Sequence, residues 1–372
     1  MIPSRLGVRI ALAALIGLAT STHAAHAQGG FLFQGVGDVE LWKTDSASSL
    51  LARGSGKLAP LFRGDVWMAI EPIGNLVFFN ETLAEAGNAR DEPGTEIYAK
   101  QYGLRYSPSD AFQIEGGKIR QIVGAFSSRQ LSFRNPLIGE PDGYAASYPR
   151  GVRIDGSAGM VDYRAGLMSL PVYRQDYIPD PSAALRPAVG FGVTPMTGVR
   201  VGFTGTLGPY LNHNLSDAEL RGESWTHYKQ RVVGFDAQLS HGYFEANAEA
   251  AYSNYDVPGR GTAIDGISFY VEPKYTFTPR FFMAMRVERN DYPFISPVTP
   301  TIWVANRVVV EDGELGGGFR ATASTLLKLS VRKDHWMPNA NPQAPHDNGY
   351  AIAMQWSQML DFVDLVKGLQ QR

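Results

Sequence analysis

The stretch Phe281-Phe282-Met283-Ala284-Met285-Arg286-Val287-Glu288 changes character at every second residue. Phe281, Met283, Met285 and Val287 are all apolar, whereas the residues between them end in Arg286 and Glu288. Successive side chains of a β-strand leave opposite faces of the sheet. A period of two therefore puts the apolar set on one face and the charges on the other. An α-helix, with 3.6 residues per turn, would scatter both sets around its surface.

The same period recurs in both directions. Phe244, Ala246, Ala248, Ala250 and Tyr252 alternate with Glu245, Asn247 and Glu249, and Ile267, Phe269, Val271 and Tyr275 with Ser268, Tyr270, Glu272 and Lys274. Val161, Tyr163, Ala165 and Leu167 flank Asp162 and Arg164; Val199, Val201 and Phe203 flank Arg200; Leu327, Leu329 and Val331 flank Lys328 and Arg332. Half-apolar strands of this kind belong to antiparallel sheets, since parallel strands read as continuous apolar runs. Short turns are predicted near 72–75, 107–110, 156–159, 195–198, 240–242, 277–279 and 321–324. Long polar loops are predicted near 44–57, 84–94, 124–148, 170–186, 208–226, 255–263, 291–304 and 337–347. The two kinds alternate strictly, which joins 16 strands, with 14 or 18 if one hairpin is misread. The phase is weakest over 95–106 and 111–123, where Gly116-Gly117 is read as a bulge. Pro273 interrupts a strand and requires a place where its missing N–H is tolerated.

Composition limits what such a chain can do. It has 372 residues, no cysteine and a formal net charge of -2. Disulfides, thiolate metal sites and cysteine nucleophiles are excluded, and the strongly basic footprint of a nucleic-acid binder is absent. Arg5 and Arg9, an apolar run from Ile10 to Ala19 and the small-residue site Ala25-His26-Ala27 form the pattern of a secretory signal peptide over 1–27. An exported, cysteine-free chain fits a Gram-negative periplasm or outer membrane.

An even strand count with short turns at one end and long loops at the other describes a transmembrane antiparallel β-barrel over 28–362, followed by a periplasmic tail over 363–372. Closure is a physical requirement, because an open sheet edge in lipid would leave backbone groups unpaired. Tyr102, Tyr106, Tyr210, Tyr243, Tyr252, Tyr275, Phe277, Phe281, Tyr292, Trp303 and Trp336 near strand ends suit interfacial girdles.

On these features the chain resembles the outer-membrane porin superfamily. Tyr350, Ile352, Met354, Trp356, Leu360 and Phe362 resemble the last strand that such barrels present to their assembly machinery, although ten residues follow Phe362. The resemblance implies an outer-membrane location, contact with membrane lipids and a homotrimer. Its implied function is passive diffusion of small hydrophilic solutes, anionic ones among them, without a cofactor. The loop near 124–148 resembles the constriction loop of porins, which would turn Arg129 and Arg134 toward solutes, with Glu140 and Asp142 as counter-charges.

If the apolar residues face lipid, their neighbours line a water-filled lumen. The residues read as pore-lining are Lys118, Arg120, Arg129, Arg134, Arg153, Arg164, Arg200, Asp236, Glu245, Glu249, Glu272, Arg286, Arg320, Lys328 and Arg332. Opposed charges of this kind tune channel selectivity; the competing reading is pairing between neighbouring strands. A catalytic alternative, a lipid or ester hydrolase on the barrel rim, would use Ser224 and His227. A third possibility is a plugged barrel with a structural or anchoring role. No nucleophile elbow, zinc-protease motif or phosphate loop is present. No metal is expected, since His335 and His346 beside Asp334 and Asp347 fix no ligand geometry.

Overall fold

The computed structural model describes residues 30–46, 53–88, 94–142, 148–169, 184–299, 302–337 and 348–363. The signal-peptide segment 1–27, most of the loops at 170–186 and 337–347, and the tail after Val363 lie outside the described residues.

Sixteen strands follow one another: β1 (Phe31–Thr44), β2 (Ala59–Ile73), β3 (Leu76–Gly87), β4 (Gly94–Ser109), β5 (Phe112–Lys118), β6 (Arg150–Ala158), β7 (Val161–Met168), β8 (Arg186–Met196), β9 (Val199–Pro209), β10 (Lys229–His241), β11 (Phe244–Tyr255), β12 (Ile264–Thr278), β13 (Phe281–Thr299), β14 (Ile302–Thr322), β15 (Thr325–Trp336) and β16 (Gly349–Asp361). Each pairs antiparallel with its sequence neighbours, and β1 pairs with β16 from Gln34↔Asp361 to Thr44↔Ala351, closing the barrel. No helix among the described residues is long and apolar enough to cross a membrane; the crossing elements are strands.

The alternation has the physical outcome that the sequence predicts. On β15, Leu327, Leu329 and Val331 stand on the outer surface, whereas Lys328, Ser330 and Arg332 are buried on the inner one. Leu329 is 53% exposed and Lys328 5%. A closed band of exposed apolar side chains is unstable in water and stable against lipid tails. All seven expected short turns are present, and Gly159, Gly198 and Gly242 take the positive φ that tight hairpin turns require.

Three local expectations are corrected. Residues 291–304 are not a loop: β13 and β14 run on for 19 and 21 residues and are separated only by 300–301. Past Asn290 β13 pairs with β14 alone, and Pro293 and Pro297 are tolerated on such an edge. The bulge near the weak phase lies at Lys100, which β3 skips between Glu81↔Gln101 and Thr82↔Ala99, while Gly116 and Gly117 keep a regular register with β4. Of the expected girdle, Tyr102, Tyr106, Tyr243, Tyr252, Tyr275, Phe277 and Phe281 are exposed, but Tyr210 and Trp336 are buried and Trp303 is half-buried. Tyr210 and Trp303 pack with Leu211, Leu220, Tyr228 and Ile295 where the loop after β9 meets the long β13–β14 hairpin. Pro273 pairs with Ala246, and the register to β13 passes from Val271 to Lys274.

Replacing outward-facing Leu329 by Arg in mid-strand is expected to destabilise the lipid-embedded barrel by about 2–4 kcal/mol. Reversible urea unfolding in liposomes measures this.

Candidate functional site

The third long connection, residues 119–149 between β5 and β6 (here L3), turns into the barrel, and its described part covers 119–142 and 148–149. Its own sequence provides for this. Ile119 and Ile122 pack with Met168 and Ala188. Val123 and Phe126 enter a cluster with Val232, Ala251 and Tyr270, and the Phe126 and Tyr270 rings meet edge to face at 6.3 Å. Ile138 packs with Trp42, Ala59, Leu61, Ala351 and Ala353. The inner wall at these places is apolar, with small residues among the partners, so the loop buries hydrocarbon instead of leaving it in the lumen water.

Polar contacts fix the register of the loop on β11–β15. The Ala125 N–H donates to Glu249 Oε2 at 2.8 Å and the Gly139 N–H to Glu314 Oε1 at 3.0 Å. The Asp142 N–H donates to Glu288 Oε2 at 2.9 Å. Arg129 reaches Glu272 at 2.5 Å and the Tyr270 hydroxyl at 3.0 Å. Lys328 Nζ donates to the carbonyls of Ser132, Asn135 and Leu137 at 3.0, 3.1 and 2.8 Å. Arg286, fully buried, donates to Glu272 at 2.6 and 3.0 Å, to the Gly139 carbonyl at 3.1 Å and to Asn135 Oδ1 at 3.2 Å. A Cβ on Gly139 would come within 2.5 Å of the Glu314 carboxylate, so a larger residue would have to displace that side chain.

Burial lowers the proton affinity of the Arg129 guanidinium, but Tyr270 and Glu272 outweigh it and hold the group above its ordinary value. Burial pushes the Asp142 carboxyl up to about 7 against the pull of Arg332, with the like charge of Glu288 adding to the rise. Burial likewise moves the Tyr148 hydroxyl up to about 12.

The remaining lumen wall carries the arginines read from the sequence, most of them paired. Arg153 bonds Asp155 at 2.9 Å and lies 3.4 Å from Glu115. Arg200 clamps Asp162 at 2.7 and 2.8 Å and also contacts Asp236. Arg164 has its nearest carboxylate, Asp236, at 3.9 Å. Glu245 pairs with Lys274 at 2.8 Å. Glu249 also accepts the Tyr270 hydroxyl. Arg320 stands in register with buried Leu326, on the inner face near a short turn. Arg120 and Arg134 lie on L3; Arg134 is exposed and donates to the Ser128 carbonyl at 3.1 Å.

Lys118 departs from expectation. It ends β5 in register with Tyr102 and Arg150, both exposed, and its ammonium donates to the Ala99 carbonyl at 2.6 Å. It therefore stands on the outer phase of the strand. Conversely, Arg63, Lys100 and Arg105 are inner-wall cations absent from the sequence-based set. Lys100 bridges Asp65 and Glu81 at 3.0 and 2.8 Å, and Arg105 meets Glu115 at 2.7 Å. The bulge hides the phase of Lys100. Arg63 is masked because Ala59 and Leu61, which share its face, are apolar. L3, β1–β4 and Arg332 border a partly open cavity of about 400 Å³ lined by Asp38, Glu40, Arg63, Lys100, Gln130 and Glu140 among others.

The Ser224 hydroxyl is engaged with Thr226, capping a short 3-10 turn, and His227 faces Glu223 at 3.8 Å on the surface. The two residues do not form a nucleophile–base pair.

No protein-family model matches the chain, and no curated protein does. Solved structures do. An anion-selective porin from Comamonas acidovorans superposes with a TM-score of 0.61 at 10% identity, over 90% of this chain and all of that one. The chain has the fold of the outer-membrane β-barrels. A loop-deletion form of OmpT, an outer membrane protein of Vibrio cholerae, matches with a TM-score of 0.59 at 11% identity over 90% of this chain and 100% of its own. OmpF of Salmonella typhi, in complex with daunomycin, matches at 0.58 and 10%, over 89% and 97%.

Lys328→Met should leave three L3 carbonyls without their donor and destabilise loop docking by about 2–4 kcal/mol. Faster limited proteolysis within 124–142, with the barrel itself intact on a gel, is the expected readout.

Proposed function

We propose that the protein is a passive channel of the outer membrane, exported by the signal segment 1–27, for small hydrophilic solutes, anionic ones among them. The observation that carries this reading is the inward course of L3. By binding to β11–β15 it narrows the lumen and leaves the polar passage against β1–β9. Charged groups remain open toward that passage: the side chains of Arg105 and Arg63 on one part of the wall, and those of Arg164 and Arg200 on another. Because most of these cations already have carboxylate partners, the passage favours hydrophilic solutes broadly and discriminates weakly by charge. A hydrolase reading has no support in the engaged Ser224 hydroxyl. A homotrimer is proposed with the channel; one matched structure is a trimer form of Vibrio cholerae OmpT.

Single-channel recording in planar bilayers tests this. The expected result is stepwise conductance, raised when residues 126–142 are removed. A folded barrel that gives no steps would overturn the channel reading, and a conductance unmoved by the deletion would overturn the constriction role. Arg105→Gln with Arg164→Gln should move the reversal potential in a salt gradient toward cation preference. No shift would place those side chains outside the ion path.

A further inference from the structure

Three carboxylates stand in one row across three neighbouring strands. Glu288 of β13 is in register with Asp312 of β14, and Asp312 with Asp334 of β15. None is more than 3% exposed. Like charges directly opposite one another repel, and removal from water strengthens the repulsion. L3 brings a fourth, Asp142, to the same place. Ligand oxygens of Asp142, Glu288 and Asp312 all lie within 4.8 Å of one another. The cation at the centre is Arg332, whose Nη2 lies 3.0 Å from Glu288, 3.4 Å from Asp312 and in contact with Asp142. Arg332 pairs with three of the four carboxylates, and the charges of Arg286 and Arg53 act on Asp142 from farther off.

A separate observation points to a ligand. Both oxygens of buried Asp312 make no hydrogen bond. Asn290, also fully buried, donates its amide to Glu288 Oε2 at 3.3 Å but leaves Oδ1 without a donor. Buried acceptors are almost always satisfied; Asp312 Oδ2 has only the Arg332 ion pair at 3.4 Å, and Asp312 Oδ1 and Asn290 Oδ1 have no partner, which a metal ion beside the acidic row would complete. The donor set is all oxygen, which selects a hard cation. Ca²⁺ bonds at about 2.3–2.6 Å and so spans oxygens about 5 Å apart, whereas Mg²⁺ at about 2.0–2.1 Å needs them within about 4.2 Å.

We propose that Asp142, Glu288 and Asp312, with Asn290 Oδ1 alongside, form a Ca²⁺ site. The ion takes the place of the Arg332 guanidinium among the three carboxylates, and Asp334 adds charge from the next strand. It bridges Asp142 of L3 to the barrel wall, adding an ionic tie to the loop. The site stands apart from the channel reading, since it is measured by binding and not by conductance.

The test uses the full barrel refolded in detergent, stripped with EDTA and titrated with Tb³⁺ at neutral pH. The Trp336 indole, bonded to Asp334 at 3.0 Å, serves as the sensitiser. Saturable sensitised emission is expected, displaced by Ca²⁺ and at least about tenfold less effectively by Mg²⁺. Asp312→Asn should weaken binding by about tenfold or more, whereas Arg332→Gln, which removes the competing cation, should tighten it. Absence of saturable emission from the wild-type barrel overturns the proposal. So does unchanged affinity in Asp312→Asn, or weaker Ca²⁺ binding in Arg332→Gln. Should Asp312→Asn fail to give the heat-modifiable band of a folded barrel, the wild-type titration and Arg332→Gln decide.

Discussion

Everything in this molecule depends on the seam between its two ends. The register from Gln34↔Asp361 to Thr44↔Ala351 joins the first strand to the last. Without it two strand edges would face lipid with their amides and carbonyls unpaired, at several kcal/mol for each group. With it, no strand of the barrel wall has to end its hydrogen bonding in hydrocarbon. The exception shows the rule: β13 loses its β12 neighbour after Asn290, and there the chain uses Pro293 and Pro297 in a hairpin that runs on beyond the closed wall.

Closure divides the side chains into two solvents. The outer set can be uniformly apolar, and the inner set must manage many charges in a confined space. Arg286 shows how this is done. It has no exposed surface, yet its guanidinium meets Glu272, Glu314, the Gly139 carbonyl and Asn135 Oδ1. A buried ion is tolerable only when its partners are this complete. Two of those partners belong to L3, so wall and loop satisfy one another: the loop supplies acceptors that the wall cations need, and the wall supplies carboxylates for loop amides.

Much of this was legible in the alternation. Strand number, the seven short turns and the inward phase of Arg153, Arg164, Arg200, Arg286, Lys328 and Arg332 all follow from a period of two. What escaped had local causes. A bulge at Lys100 breaks the period without a glycine to announce it. Arg63 shares its face with Ala59 and Leu61, whose apolar character is explained only by Ile138 of L3 packing on them. Pro293 and Pro297 carry a turn signature, but their position on an unpaired edge is a tertiary fact. Lys118 was misplaced because β5 ends there, where the last strand residue falls on the outer phase.

The lumen therefore has two unlike walls, and the reason is the loop. L3 places its apolar residues against inner-wall positions that are themselves apolar or small, and its backbone amides and carbonyls against charges on β11–β15. Those charges are consumed in holding the loop and are shielded from the passage by it. Lys100 of β4 is covered by Tyr148 of the loop, whereas Arg105, Arg164 and Arg200 form no ion pair with its described residues. Arg63, Arg105, Arg164 and Arg200 are held by carboxylates of neighbouring strands and keep part of their side chains open. If the barrel conducts solutes as proposed, charges engaged with the loop contribute less to discrimination than those of the uncovered wall. On the proposed channel reading, the charged residues of β11–β15 act on permeation indirectly, by setting where the loop sits.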